Sequence, residues 1–141
     1  MRFMIIVKNN PQTENQPPLE SMFEEMGKYN QQLVDAGILL AAEGLTGSKD
    51  GAIVTFRKGG KFEVKDGPFT EAKELIAGFW IIQVKSREEA VEWVKRIPGF
   101  VDGETVEVRR VGEMSDYADV MSPETMATEE AMREQIAKKA N

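Results

Sequence analysis

The order in which the hydrophobic period changes along the chain restricts its fold more than any other feature. Phe3-Met4-Ile5-Ile6-Val7 is a continuous apolar run of strand length, the pattern of a strand covered on both faces or lying at a subunit contact. Asn9 to Pro18 holds three prolines and several amides and suits a loop. Leu19, Met22, Phe23, Met26, Leu33 and Val34 then recur at helical spacing, while Glu20, Glu24, Lys28 and Gln31 fall largely on the other side. Glu24 and Lys28 are four apart in the favourable order, and Gly37 stands where a helix-ending glycine belongs, so a helix over Leu19–Ala36 is predicted. Ile38–Ala42 reads as a short strand, and Gly44, Gly47 and Gly51 punctuate a loop.

Ala52–Phe56 and Phe62–Val64 flank Lys58-Gly59-Gly60-Lys61, a hairpin signal. Phe62 and Val64 alternate with Lys61, Glu63 and Lys65, which predicts one wet face on that arm. Leu75–Val84 is the most apolar stretch and its latter part is expected to be a central strand, with Gly78 marking a bulge or the close approach of another backbone. Ser86-x-x-Glu89 is a capping box that opens a second helix, with Ala90, Val91, Trp93, Val94 and Ile97 apolar and Pro98-Gly99 as its stop. Thr105–Val111 is a last strand, with Val106 and Val108 on one face and Glu107 and Arg109 on the other.

Strand, helix, strands, strand, helix, strand is the β-α-β-β-α-β plan of an α+β ferredoxin-like sandwich with an inserted β-hairpin. Helices cover one face of such a sheet, and pairing with a second copy is the simplest cover for the other, so a homodimer is expected. Residues 1–112 form the expected domain and residues 113–141 a tail. The tail holds Met114, Met121, Met126 and Met132, four of the eight methionines, with Ser122 and Pro123 placed to start a helix and Lys138-Lys139 at its favourable end. Its readings are a loosely packed terminal helix or an arm gripping a partner subunit.

The chain contains no Cys and no His, which removes disulfides, thiolate nucleophiles, Cys/His zinc sites and every His-based relay. An acid or base must then be Asp, Glu, Lys or Tyr. No Asp-x-Asp-x-Asp-Gly calcium loop is present, and no metal or cofactor is expected. Gly44–Lys49 lacks the spacing of a phosphate loop. Eighteen Lys+Arg against 24 Asp+Glu give a net charge of −6, with the basic residues scattered, which argues against nucleic acid as a partner. No apolar run approaches the ~20 residues of a membrane helix, and no secretory leader pattern opens the sequence, so a cytoplasmic protein is expected.

Asp66-Gly67-Pro68-Phe69-Thr70-Glu71-Ala72-Lys73-Glu74 concentrates turn chemistry. Asp66 can bond to backbone ahead of it, Gly67 tolerates unusual backbone angles, and Pro68 presets φ. Thr70 is placed to cap one helical turn through Glu71-Ala72-Lys73, with Phe69 as an apolar plug. Together with Tyr29-Asn30, Leu33, Ala36-Gly37, Gly78-Phe79-Trp80, Glu89-Ala90, Glu92-Trp93 and Val106–Arg109, this turn resembles the DGPF proteins, a branch of the YCII-related family. The resemblance runs over about Arg2 to Val111. It implies a ferredoxin-like protomer that dimerises face to face as a dimeric α+β barrel, with a cleft near the sheets.

YCII-type relatives carry a proposed His-Asp pair, which this sequence, having no His, does not share. The DGPF branch also implies an association with sigma factors of the extracytoplasmic-function type, a partner expected by resemblance only. On the residues themselves, Asp66 is the first candidate catalytic group, against a role in holding the turn. Tyr29 and Lys73 are candidate acids, against a tyrosine that reaches solvent and a lysine in a solvated pair with Glu74. Phe69, Glu74, Glu107 and Arg109 are candidate ligand contacts, Glu107 and Arg109 being alternatively an exposed pair. Trp80 and Trp93 are expected in the core or an interface. Three functions follow: a dimer binding a small polar molecule near the Asp66 turn, a cofactor-free acid–base enzyme, or a regulatory partner of the transcription machinery.

Overall fold

A computed structural model describes residues 1–140, which divide into two compact units, the first Met1–Arg110 and the second starting at Val111. In the first unit the elements run β1 (Arg2–Lys8), α1 (Glu20–Asp35), β2 (Leu39–Gly44), β3 (Ala52–Arg57), β4 (Lys61–Asp66), β5 (Ile76–Gln83), α2 (Arg87–Val94) and β6 (Val106–Arg110). β2, β5, β1 and β6 form one antiparallel sheet in that order, and β3 pairs only with β4. With the β3–β4 hairpin set aside, each helix joins two strands separated by a third, which is the α+β ferredoxin-like fold.

Side-chain alternation sorts the sheet into two faces. Phe3 and Ile5 of β1 and Trp80 and Ile82 of β5 are buried with Tyr29 and Leu33 of α1 and Ala90 of α2, and these form the core. Met4, Ile6, Phe79 and Ile81 occupy the intervening positions, half-buried, with Met4 opposite Ile81 and Ile6 opposite Phe79. Both helices therefore serve one face of the sheet.

Local chemistry explains the boundaries. α1 ends at Gly37, whose φ of +69° lets the Gly37 and Ile38 amides turn back to the Val34 and Leu33 carbonyls. Ser86 accepts from the Glu89 amide and the Glu89 carboxylate accepts from the Lys85 amide, fixing the start of α2. α2 is shorter than the sequence predicts: it closes at Val94, and tighter turns carry the chain to Ile97 before Pro98 is reached. Gly78 answers to both expectations: the β1–β5 register shifts beside it, Val7 facing Gly78 and Lys8 facing Ile76, and another backbone approaches it closely. A β-carbon there would lie 2.6 Å from the Glu43 carbonyl oxygen on β2.

The hairpin differs from expectation in its exposure. β4 is exposed along its whole length, so its apolar side is as open as its charged side. Phe56 and Phe62 pair edge to face at 5.3 Å and are 78% and 61% exposed.

In the second unit, Glu113 and Asp116 close a reciprocal capping box around a short turn at Met114–Tyr117. α3 (Pro123–Ala140) follows, with the Ser122 hydroxyl accepting from the Thr125 amide and Lys138 and Lys139 in its last turn. No residue of α3 is buried.

Candidate functional site

The family-like turn is built as a clasp. The Gly67 amide donates to the Gly51 carbonyl at 2.9 Å, and the Phe69 amide donates to Ser48 Oγ at 2.8 Å. Ser48 is held in turn by Glu14, whose carboxylate accepts from both the Ser48 amide and its hydroxyl. Gly67 lies so close to this segment that a β-carbon would fall 1.7 Å from the Ser48 carbonyl oxygen. The glycine is thus required by backbone contact, and the Phe69 ring closes over Gly51. The following turn covers Ala72–Glu74 and begins one residue later than predicted. Glu71, without a side-chain hydrogen bond, holds the capping position, so Thr70 is not the cap.

Three cavities lie in the first unit. The largest apolar one, about 390 Å³, opens between the N-terminal half of α1 and the sheet. Met22, Met26 and Asn30, four residues apart on one helical stripe, face it from α1. Trp80 and Val7 line it from the strands, and Pro98–Phe100 with Glu104 close the far side. Its existence follows from residue size. Where a helix normally fills against a sheet, the paired strands here carry Ala42, Gly44, Ala77 and Gly78, and small residues leave the space open.

The chamber wall is fixed on one side and adaptable on the other. The Trp80 indole nitrogen donates to Asn30 Oδ1 at 2.8 Å, and its ring meets the Tyr29 ring edge to face at 5.6 Å. That bond also fixes the Asn30 amide, whose N–H groups have no acceptor among the described residues and remain for the chamber's contents. The two methionines are unbranched and polarisable, so this wall can reshape around different apolar groups.

The predicted site residues are dispersed. Asp66 is exposed at the end of β4 and lines none of the three cavities. Tyr29 is neither at a cleft edge nor in solvent. It is 4% exposed, and its hydroxyl donates to the Trp93 carbonyl at 3.0 Å. Burial pushes its phenol up to about 12, against a smaller opposing effect of Arg96. Phe69 and Glu74 meet in a second cavity of about 320 Å³ beside Ser48, while Lys73 lines a third of about 470 Å³ with Lys8, Asn9, Asn10 and Thr13.

Glu107 and Arg109 share a sheet face and pair at 3.3 Å, and Lys8 reaches Glu107 from the other side at 3.3 Å. Hydrogen bonds from Lys8 and then Arg109 hold the Glu107 carboxyl below its usual range. Neither residue lines any of these three cavities. Trp80 is in the core, and Trp93 packs on its margin with the Arg96 guanidinium 4.3 Å from its ring centre.

Sequence reasoning missed Met22, Met26, Asn30 and Phe100 as cavity-lining residues. The signal that finds this chamber is a cluster of small residues on neighbouring strands beneath a methionine stripe. Among the described residues no group of three or more metal-ligating side chains occurs, and no helix is long and apolar enough to cross a membrane.

A family model for the YCII-related domain matches residues 1–115 of the chain. A search of curated proteins finds no significant match.

Proposed function

The chain belongs to the YCII-related family, and on that premise we propose that it is a homodimeric small-molecule-binding protein whose ligand occupies the chamber under α1. One observation carries the reading: a cavity of about 390 Å³ with an apolar wall, a single fixed amide and a floor of small residues. This moves the ligand from the Asp66 turn to the Trp80 side of the sheet. The clasp at Gly67 and Phe69 then belongs to the scaffold, and Asp66, exposed beside it, stands outside the binding site.

Binding is favoured over acid–base catalysis by the dispersion of the candidate groups. An acid and a base must both reach one reacting molecule. Asp66 lies outside the three cavities, the Tyr29 hydroxyl is spent on a backbone carbonyl, and Lys73 lines a cavity that neither of them shares. The dimer is supported by the sheet face that carries no helix of the first unit. Met4, Ile6, Phe79 and Ile81 make its centre apolar, and Glu107 and Arg109 border it on β6. A second copy brings an identical patch and completes the layer.

The test is a thermal-shift screen with small apolar molecules on the wild-type protein and on Ala42→Leu, which fills the floor. A ligand of the folded form raises the melting temperature. Hits that stabilise the wild type and lose that effect in a folded Ala42→Leu variant are expected. Hits that stabilise both proteins equally, or a library with no hits at all, contradict the chamber as the site.

A further inference from the structure

The chamber and the polar third cavity share two wall residues, Phe100 and Glu104, so an apolar space and a lysine-bearing space lie side by side. We propose that the two together take an apolar carboxylic acid, its hydrocarbon part against Met22, Met26 and Trp80 and its carboxylate at Lys73. This rests on the reading of the chamber as a binding site and names the ligand class for it.

Charge and geometry support the assignment. Lys73 takes part in no ion pair among the described residues, whereas Lys8 across the same cavity is engaged with Glu107 at 3.3 Å. Lys73 is therefore the cation available to an incoming anion. Glu104 stands on the shared wall, but its carboxylate is tied to the Val101 amide at 3.0 Å, and its own amide returns to the Val101 carbonyl at 3.1 Å. These bonds hold the Phe100 loop in shape and fix the position of the acid. Glu43 is the other acidic residue of the chamber, and the chamber itself has no cation.

A neutral apolar molecule satisfies the chamber alone and leaves the polar cavity to water. A cationic one that reaches into the polar cavity meets Lys73. A carboxylic acid with an apolar body uses both spaces, and an ion–carboxylate contact is stronger than a neutral one.

Octanoate, 1-octanol and octylamine share one tail and differ in charge, which makes them the probes. Their affinities are measured by calorimetry on the whole wild-type protein and on Lys73→Gln. Octanoate is expected to bind about tenfold more tightly than octanol, with the preference shrinking as salt rises. Lys73→Gln is expected to erase that preference while leaving octanol binding unchanged. Octanol binding as well as octanoate, octylamine binding best, or an octanoate preference that survives in Lys73→Gln would each overturn the carboxylate assignment while sparing the chamber. If none of the three binds the wild type, the chamber reading itself fails.

Discussion

The Trp80 indole and the Asn30 carboxamide are joined by a 2.8 Å hydrogen bond that crosses from β5 to α1 at the wall of the chamber. The bond fixes the one polar group of the cavity wall that is donated by a helix, and it pins the helix at the level where the core ends and the open space begins. Asn30→Leu leaves the indole N–H of a buried tryptophan without an acceptor. That variant is expected to lose about 1–3 kcal/mol of stability, read by urea unfolding, with a change in Trp80 emission. An unaltered unfolding midpoint would mean that the bond does not hold the wall.

The clasp predicts a reversal of the usual expectation for a sequence signature. Gly67→Ala drives a β-carbon into the Ser48 carbonyl and is expected to cost about 3 kcal/mol, the upper end of what overpacking costs. Ser48→Ala removes the acceptor of the Phe69 amide and a partner of Glu14, and is expected to cost about 1–3 kcal/mol. Asp66→Asn, at an exposed position, is expected to stay within about 0.5 kcal/mol of wild type. Thermal or urea unfolding of the three variants checks the order. Asp66→Asn as the most damaging change would contradict it.

Tyr29 sets an alkaline limit. Its folded-state value of about 12 lies above the 10.0 of a free tyrosine, so the folded chain holds a proton that the unfolded chain releases. Stability from this group is complete below pH 10 and is lost as pH rises toward 12. At roughly 1.4 kcal/mol per pKa unit, the loss is about 3 kcal/mol. Urea unfolding across that window is expected to show a steeper decline for wild type than for Tyr29→Phe. Parallel curves would rule out the contribution.

The dimer predicts the effect of one charge at the centre of the β1–β5 face. Ile81→Glu places a carboxylate opposite Met4 on the patch that a second copy is proposed to cover. Sedimentation is expected to show a wild-type dimer at micromolar concentration and a folded Ile81→Glu monomer. A wild-type monomer, or a variant that remains dimeric, would contradict pairing through this face.

Much of the fold was legible because it follows from periodicity. The Phe3–Val7 run, the α1 stripe, the Gly37 cap and the Ser86 box each encode their own local structure, and the observed elements follow them closely. The end of α2 was less legible, because Pro98-Gly99 is a strong stop signal and the helix tightens before reaching it. The Thr70 cap was misplaced for a similar reason: a capping residue type was present, but the turn began one residue later. The chamber was harder still. A cavity is set by what two distant segments fail to fill, and Ala42 and Gly44 acquire that meaning only once β2 lies beside Gly78. The Asp66 turn stands out in the sequence by its unusual composition, yet Gly67 and Phe69 are explained by contact with Ser48 and Gly51, which sequence separation conceals.

The most direct measurement follows the two tryptophan indole N–H signals by NMR while octanoate is titrated into the protein, with Trp93→Phe assigning them. The account predicts that the Trp80 signal moves with saturable dependence on octanoate while the Trp93 signal stays in place. A stationary Trp80 signal with octanoate bound elsewhere would contradict it.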